Sequence, residues 1–160
     1  MTESRQVRRH AVVGGLLMVA MVGCASMEAP KMTATEAIDA RQKLMKEQGA
    51  AMKSIQDKLK AGQVQAIVPD AEKLAQTSKE IPKMFPEGSV NPATSRAKPE
   101  IWQDWPKFEG YAKSLDTKAT QLVALAKEGN AQTTATAATD LGKTTCGACH
   151  NAFRGPEIKK

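Results

Sequence analysis

Two thiols and an imidazole fall within five residues near the end of the chain, in Cys146-Gly147-Ala148-Cys149-His150. On a helix, positions i, i+3 and i+4 share one face, so both sulfurs and the ring point the same way. Cys-X-X-Cys-His is the pattern of covalent c-type haem attachment. Each thiol adds to one vinyl group of the macrocycle, and His150 reaches the iron as proximal ligand. Gly147 and Ala148 are small enough to let a flat ring approach the backbone. Other chemistries fit less well. A thioredoxin-like dithiol wants a βαβ context, and no strand-period segment is present. A zinc site needs about four ligands, and the only other histidine, His10, stands in the N-terminal leader.

The elements that must position these groups read as helix after helix. Thr33-Ala34-Thr35-Glu36 is a capping-box pattern. Behind it Ile38, Met45, Met52, Ile55 and Leu59 recur at helical spacing up to a stop at Gly62. A second helix is expected over 65–81, with Leu74 and Ile81 a heptad apart and Pro69 in its first turns or kinking it. Pro82, Pro86, Gly88, Pro92 and Pro99 mark a long irregular connection. The third helix has the cleanest stripe, Trp105, Phe108, Ala112, Leu115, Ala119, Leu122 and Ala126, alternating three and four. Gly129 ends it and Asn130 caps the fourth, which carries Ala138, Leu141, Thr145, Ala148 and Ala152 and runs to about Phe153. The expected fold class is all-α, an antiparallel four-helix bundle. Aromatics make up only 4% of the chain and many stripe positions are Ala or Thr. Either the helices pack closely or something bulky fills the middle.

Residues 1–30 read as a removable leader. Arg5, Arg8 and Arg9 precede an apolar or small run at 11–23, too short for the ~20 residues of a membrane span and suited to a secretory signal. Cleavage is expected near Gly23-Cys24-Ala25. Met21-Val22-Gly23-Cys24 also looks like a bacterial lipoprotein box, which makes Cys24 a candidate lipid anchor. The remainder, 31–160, suits one domain, and export places it in the periplasm, free or lipid-anchored. Only Cys146 and Cys149 then remain in the folded part, and a bridge across two residues closes too small a loop to staple a domain. The full chain has a net charge of +6; removal of residues 1–30 takes three Arg and two Glu and leaves +5. No basic clusters are interleaved with aromatics, which argues against a nucleic-acid partner.

Four stretches, ARQKLMKEQG, KEIPKMFP, KPEIWQDW and CGACHNAFR, resemble the class II c-type cytochromes, that is, cytochrome c-prime and its low-spin relatives, across nearly all of residues 33–157. RQKLMKEQG and IPKMFP look more like the low-spin, methionine-ligated branch. The resemblance implies a bundle whose last helix carries one covalent haem c. Arg41 and Met45 are four apart and stack on one helix face. A buried Arg needs a partner, and the resemblance implies a haem propionate for Arg41; the alternative is a head group that snorkels to solvent. Met45 is read as the distal ligand, a soft thioether that raises the reduction potential, or as a side chain that only covers the distal face; residue identity alone leaves both open. Met52 is the weaker ligand candidate, and Met84 is assigned no role. The resemblance places Arg154 near the proximal face or the haem edge. Lys143, Lys159 and Lys160 form a positive rim toward an acidic redox partner, or simply a solvated surface. The expected function is a periplasmic electron carrier, not an enzyme, that exchanges electrons with redox partner proteins. The alternative is a five-coordinate haem protein of the cytochrome c-prime sort that binds nitric oxide or carbon monoxide. Homodimers through the first two helices are a further implication of the resemblance.

Overall fold

A computed structural model of the chain describes residues 32–158. The leader with Cys24, and Lys159 and Lys160, lie outside the described residues. Six α-helical segments build the four arms of the expected bundle: α1 (Ala34–Lys60), α2 (Val68–Ser78), α3 (Glu100–Gln103), α4 (Trp105–Glu128), α5 (Ala131–Leu141) and α6 (Ala148–Phe153). α1 packs on α2, α2 on α4, and α4 on α5. Among the described residues the only β feature is an isolated antiparallel bridge between Ala97 and Arg154. None of the described helices is long and apolar enough to cross a membrane.

The helix ends follow from local chemistry. The Thr33 hydroxyl accepts from the Glu36 N–H at 3.3 Å, while the Glu36 carboxylate accepts from the Thr33 N–H at 2.8 Å. This reciprocal pair satisfies two otherwise orphaned donors and starts α1. α2 is shorter than the expected 65–81. A 3-10 turn, Gln65–Ile67, precedes it, and Pro69 sits in its first turn, where a missing N–H costs nothing. It stops at Ser78 because Pro82 has no N–H to donate to the Ser78 carbonyl. Asp104 caps α4 through the Lys107 N–H at 3.3 Å. Gly129 ends α4 at φ 80°, and Asn130 caps α5 through the Thr133 N–H at 3.1 Å. The left-handed backbone at Gly129 makes a direct prediction: Gly129→Ala should lower thermal stability by about 1 kcal/mol, read as a fall in melting midpoint. An unchanged melt would mean that the turn relaxes without strain.

The core has two halves of different character. Away from the haem-attachment motif, Ala71, Ala119, Ala126 and Ala138 are buried beside Ile55, Ile67, Leu74, Leu122 and Leu141, so small residues let helices approach closely. Toward the motif, the walls diverge around a cavity of about 600 Å³. Close helix packing thus accounts for the small residues of one half, while the other half leaves room for a bulky group. The scarce aromatics are not dispersed either. Phe85, Trp102, Trp105, Phe108, Tyr111 and Phe153, all six that the chain possesses, form one connected edge-to-face and tilted network at the cavity end, with neighbouring ring centroids 4.8 to 6.4 Å apart.

The face of α1 corrects the sequence reading. Buried positions are Ala37, Ile38, Arg41, Leu44, Gln48, Ala51 and Ile55. Met45, Met52 and Leu59, expected on the central stripe, lie at its margin and are only half-buried.

Candidate haem-binding cavity

The attachment motif is delivered by an irregular helix. Between α5 and α6 the backbone of Gly142–Gly147 adopts a π-helical turn, one residue wider than an α-turn. Within it the Thr145 hydroxyl donates to the Leu141 carbonyl at 2.5 Å. A Cβ on Gly147 would stand 3.4 Å from the Gly142 carbonyl oxygen, and one on Gly142 would stand 3.4 Å from Met52 Cε. Both distances are ordinary van der Waals contact, so the wide turn does not depend on glycine at either end. The extra residue also advances the register. Thr145 and Phe153 are buried, while Ala148 and Ala152, expected on the same stripe, are half-exposed. Nothing in GKTTCG announces this turn.

Cys146, Cys149 and His150 are half-buried and all line the cavity. Both thiols are free. Burial, reinforced by the neighbouring Cys146, pushes the Cys149 thiol up to about 11, so it stays a neutral thiol and a poor partner in thiol–disulfide exchange. Burial, and then the charges of Arg154 and Arg96, hold His150 below its ordinary value. Its imidazole is therefore neutral at pH 7, the form that binds a metal.

α1 supplies a wall with Arg41, Gln42, Met45, Gln48, Gly49 and Met52. Arg41 is only 3% exposed, which excludes the snorkelling alternative. One guanidinium nitrogen donates to Ser89 Oγ at 2.9 Å; the other donates to the Ser89 carbonyl at 2.7 Å and to Ser95 Oγ at 2.6 Å. The group also sits 4.8 Å above the Phe85 ring, a cation–π contact. Burial pushes its pKa down, yet an arginine stays charged. Among the described residues no carboxylate pairs with it. Its partners are the two serines of the 79–99 connection, a role that sequence reasoning did not anticipate.

That connection closes the cavity as a strap. The Lys98 N–H donates to the Phe153 carbonyl at 3.0 Å and the Gly155 N–H to the Arg96 carbonyl at 2.7 Å. The Arg96 Nε–H adds a bond to the Gly155 carbonyl at 2.9 Å, and Lys98 Nζ one to the Ala152 carbonyl at 2.9 Å. Arg96 thus joins the cavity wall, and a lone arginine in a Pro-rich loop gave no signal of it. Arg154 is exposed but also lines the cavity, as does Lys46. Lys143 is exposed and does not line it. Met84 is half-buried against the core.

The residues fit a haem. Two free thiols and a neutral imidazole share one wall, and the cavity falls within the ~300–1,000 Å³ usual for ligand sites. Arg41 is a buried cation with no carboxylate beside it among the described residues, and burial of an unpaired charge is costly. An anionic propionate would offset it. Cys146 and Cys149 would hold the ring and His150 the iron.

Comparison with known proteins agrees with this geometry. A family model described as Cytochrome C' matches residues 36–154. Cytochrome c' of Rhodopseudomonas palustris is 32% identical over 125 residues, covering 75% of this chain and 82% of the relative. The crystal structure of cytochrome c' from Thermochromatium tepidum superposes with a TM-score of 0.68 at 28% identity, covering 79% of this chain and all of that one. A cytochrome c' described as having ligand-controlled dimer dissociation gives a TM-score of 0.70 at 25% identity, covering 78% of this chain and 98% of that one. The chain belongs to the cytochrome c' family, whose members are c-type cytochromes with one covalent haem c on a four-helix bundle.

Proposed function

We propose that the chain holds its haem iron through His150 alone, with the α1 side left open to a small neutral ligand such as nitric oxide or carbon monoxide. Kinship with proteins described as cytochrome c' carries this reading, since ligand binding at five-coordinate iron is what that resemblance implies. Met45 accords with it, being one of the side chains packed against the core. Bound haem supplies a redox-active iron. The chain's part is to orient it: Cys146 and Cys149 fix the ring covalently, neutral His150 offers its lone pair, Arg41 offsets negative charge at the edge, and the aromatic network keeps water away.

The second reading, a methionine-ligated electron carrier of the low-spin branch, draws on one observation. Met45 lines the cavity one turn after Arg41, so its thioether is within the wall that faces the ring. In either reading the chain is a binder or carrier rather than an enzyme. It would work in the periplasm after removal of residues 1–30, with acidic redox proteins as partners; self-association as a homodimer and a lipid anchor at Cys24 complete the proposal. One relative is described as a dissociating dimer, which makes sedimentation with and without carbon monoxide a suitable check of self-association. Mass spectrometry of the mature N-terminus reads the fate of Cys24.

Visible spectra separate the two functions. The expected result is high-spin ferric and ferrous bands, a large shift under carbon monoxide, and little change in a Met45→Ala variant. Low-spin bands indifferent to carbon monoxide, converted to high-spin by Met45→Ala, would overturn the open-face reading in favour of the carrier.

A further inference from the structure

The wall that α1 gives to the cavity is not wholly apolar. Gln48 follows Met45 by three residues and precedes Met52 by four, so the three share a face, and all three line the cavity. Only 7% of Gln48 is exposed. Its amide nitrogen donates to Thr77 Oγ1 at 3.2 Å, and the Thr77 hydroxyl donates in turn to the Lys73 carbonyl at 2.7 Å. The hydroxyl is therefore committed as an acceptor toward Gln48 and holds the amide in one orientation. A side-chain amide has two N–H donors and a carbonyl acceptor; among the described residues the bond to Thr77 is the only one this side chain makes. A buried polar group with spare capacity is costly unless something satisfies it. The other polar groups of this wall are engaged or solvated: Arg41 on Ser89 and Ser95, Gln42 on the Thr94 carbonyl, and Lys46 exposed.

We infer that Gln48 is the polar contact for a small ligand held on the α1 side of the cavity, its second amide N–H donating to the ligand's outer atom while Thr77 sets the amide's orientation. The inference rests on the open-face reading above. Its consequence is selectivity. A ligand whose outer atom accepts a hydrogen bond gains from Gln48, where a leucine of similar size would treat all diatomics alike.

Carbon monoxide is the probe, followed in the ferrous holoprotein by its C–O stretching frequency and its dissociation rate. Parent, Gln48→Leu and Thr77→Val proteins are compared, each with and without Met45→Ala. Gln48→Leu should raise the frequency and speed release by about two- to tenfold, the span that one net hydrogen bond supports. Thr77→Val should broaden the band, because the amide loses its fixed orientation. Identical frequency and rate in Gln48→Leu and its parent would overturn the inference, since a merely structural glutamine would not report on the ligand. Carbon monoxide bound only after Met45→Ala would overturn the open-face reading instead, and Gln48 is then judged on that background by the same frequency criterion. No binding in any protein would overturn both.

Discussion

A Cys146→Ser/Cys149→Ser double variant, produced alongside a working cytochrome maturation system, is expected to show no haem on a denaturing gel and to lose most of its cooperative melt. The first effect follows from chemistry: serine hydroxyls do not form the thioethers that the free, cavity-facing thiols of Cys146 and Cys149 provide. The second follows from volume. Without the ring, water enters the 600 Å³ space and its apolar wall forfeits roughly 25 cal/mol for each Å² left wet. Domains of this size are stable by only about 5–15 kcal/mol, so the loss of the group that fills this end weighs heavily. The small-residue half of the core, around Ala71, Ala119 and Ala126, would keep helical secondary structure while the aromatic end loses its packing. Far-UV circular dichroism should therefore fall less than near-UV ellipticity. A colourful variant that retains haem through boiling in detergent would refute the thioether assignment, and a sharp melt at the parental temperature would refute the volume argument.

The sequence made some of this molecule legible and hid the rest for identifiable reasons. Thr33 with Glu36, and Gly129 followed by Asn130, act within a few residues, so their pattern is also their structure. Cys146, Cys149 and His150 were readable because helical spacing alone places them together. The face of α1 was misread because its buried heptads run through Arg41, Gln48 and Ile55, and through Ala37, Leu44 and Ala51. Two of those positions are polar, so apolar periodicity found Ile38 and Ile55 correctly but pointed to Met45 and Met52, which lie at the margin. Arg41 and Gln48 tolerate burial through partners 48 and 29 residues away, Ser89 and Thr77, which no local window contains. The π-helical turn at Gly142–Gly147 carries no composition of its own. Arg96 reaches the cavity only because the strap is bridged to Phe153–Gly155. Apart from that π-helical turn, which is local, what remained hidden is what non-local hydrogen bonds decide.

Arg41 yields the second large effect, and it tests what the strap is anchored to. Arg41→Ala should destabilise the holoprotein by about 3–5 kcal/mol, the range for removing one member of a buried charged network. Three hydrogen bonds vanish at once, the Phe85 ring loses its cation, and the Ser89 carbonyl is left buried without this donor. Each such orphaned group costs about 1–3 kcal/mol. With a few degrees of melting temperature per kcal/mol for a domain of this size, the midpoint should fall by on the order of 10–20 °C. Arg41→Lys should recover less than half, because a single ammonium does not span Ser89 and Ser95 as the planar fork does. A Ser89→Ala/Ser95→Ala variant separates the two partners of the guanidinium. It keeps the positive charge and removes both hydroxyl acceptors, so it should cost only about 1–2 kcal/mol if negative charge at the haem edge is the larger part of what Arg41 satisfies. A loss equal to that of Arg41→Ala would assign Arg41 wholly to the strap and leave no propionate contact to explain. A loss near zero in Arg41→Ala itself would show that neither the strap nor the cavity depends on this side chain.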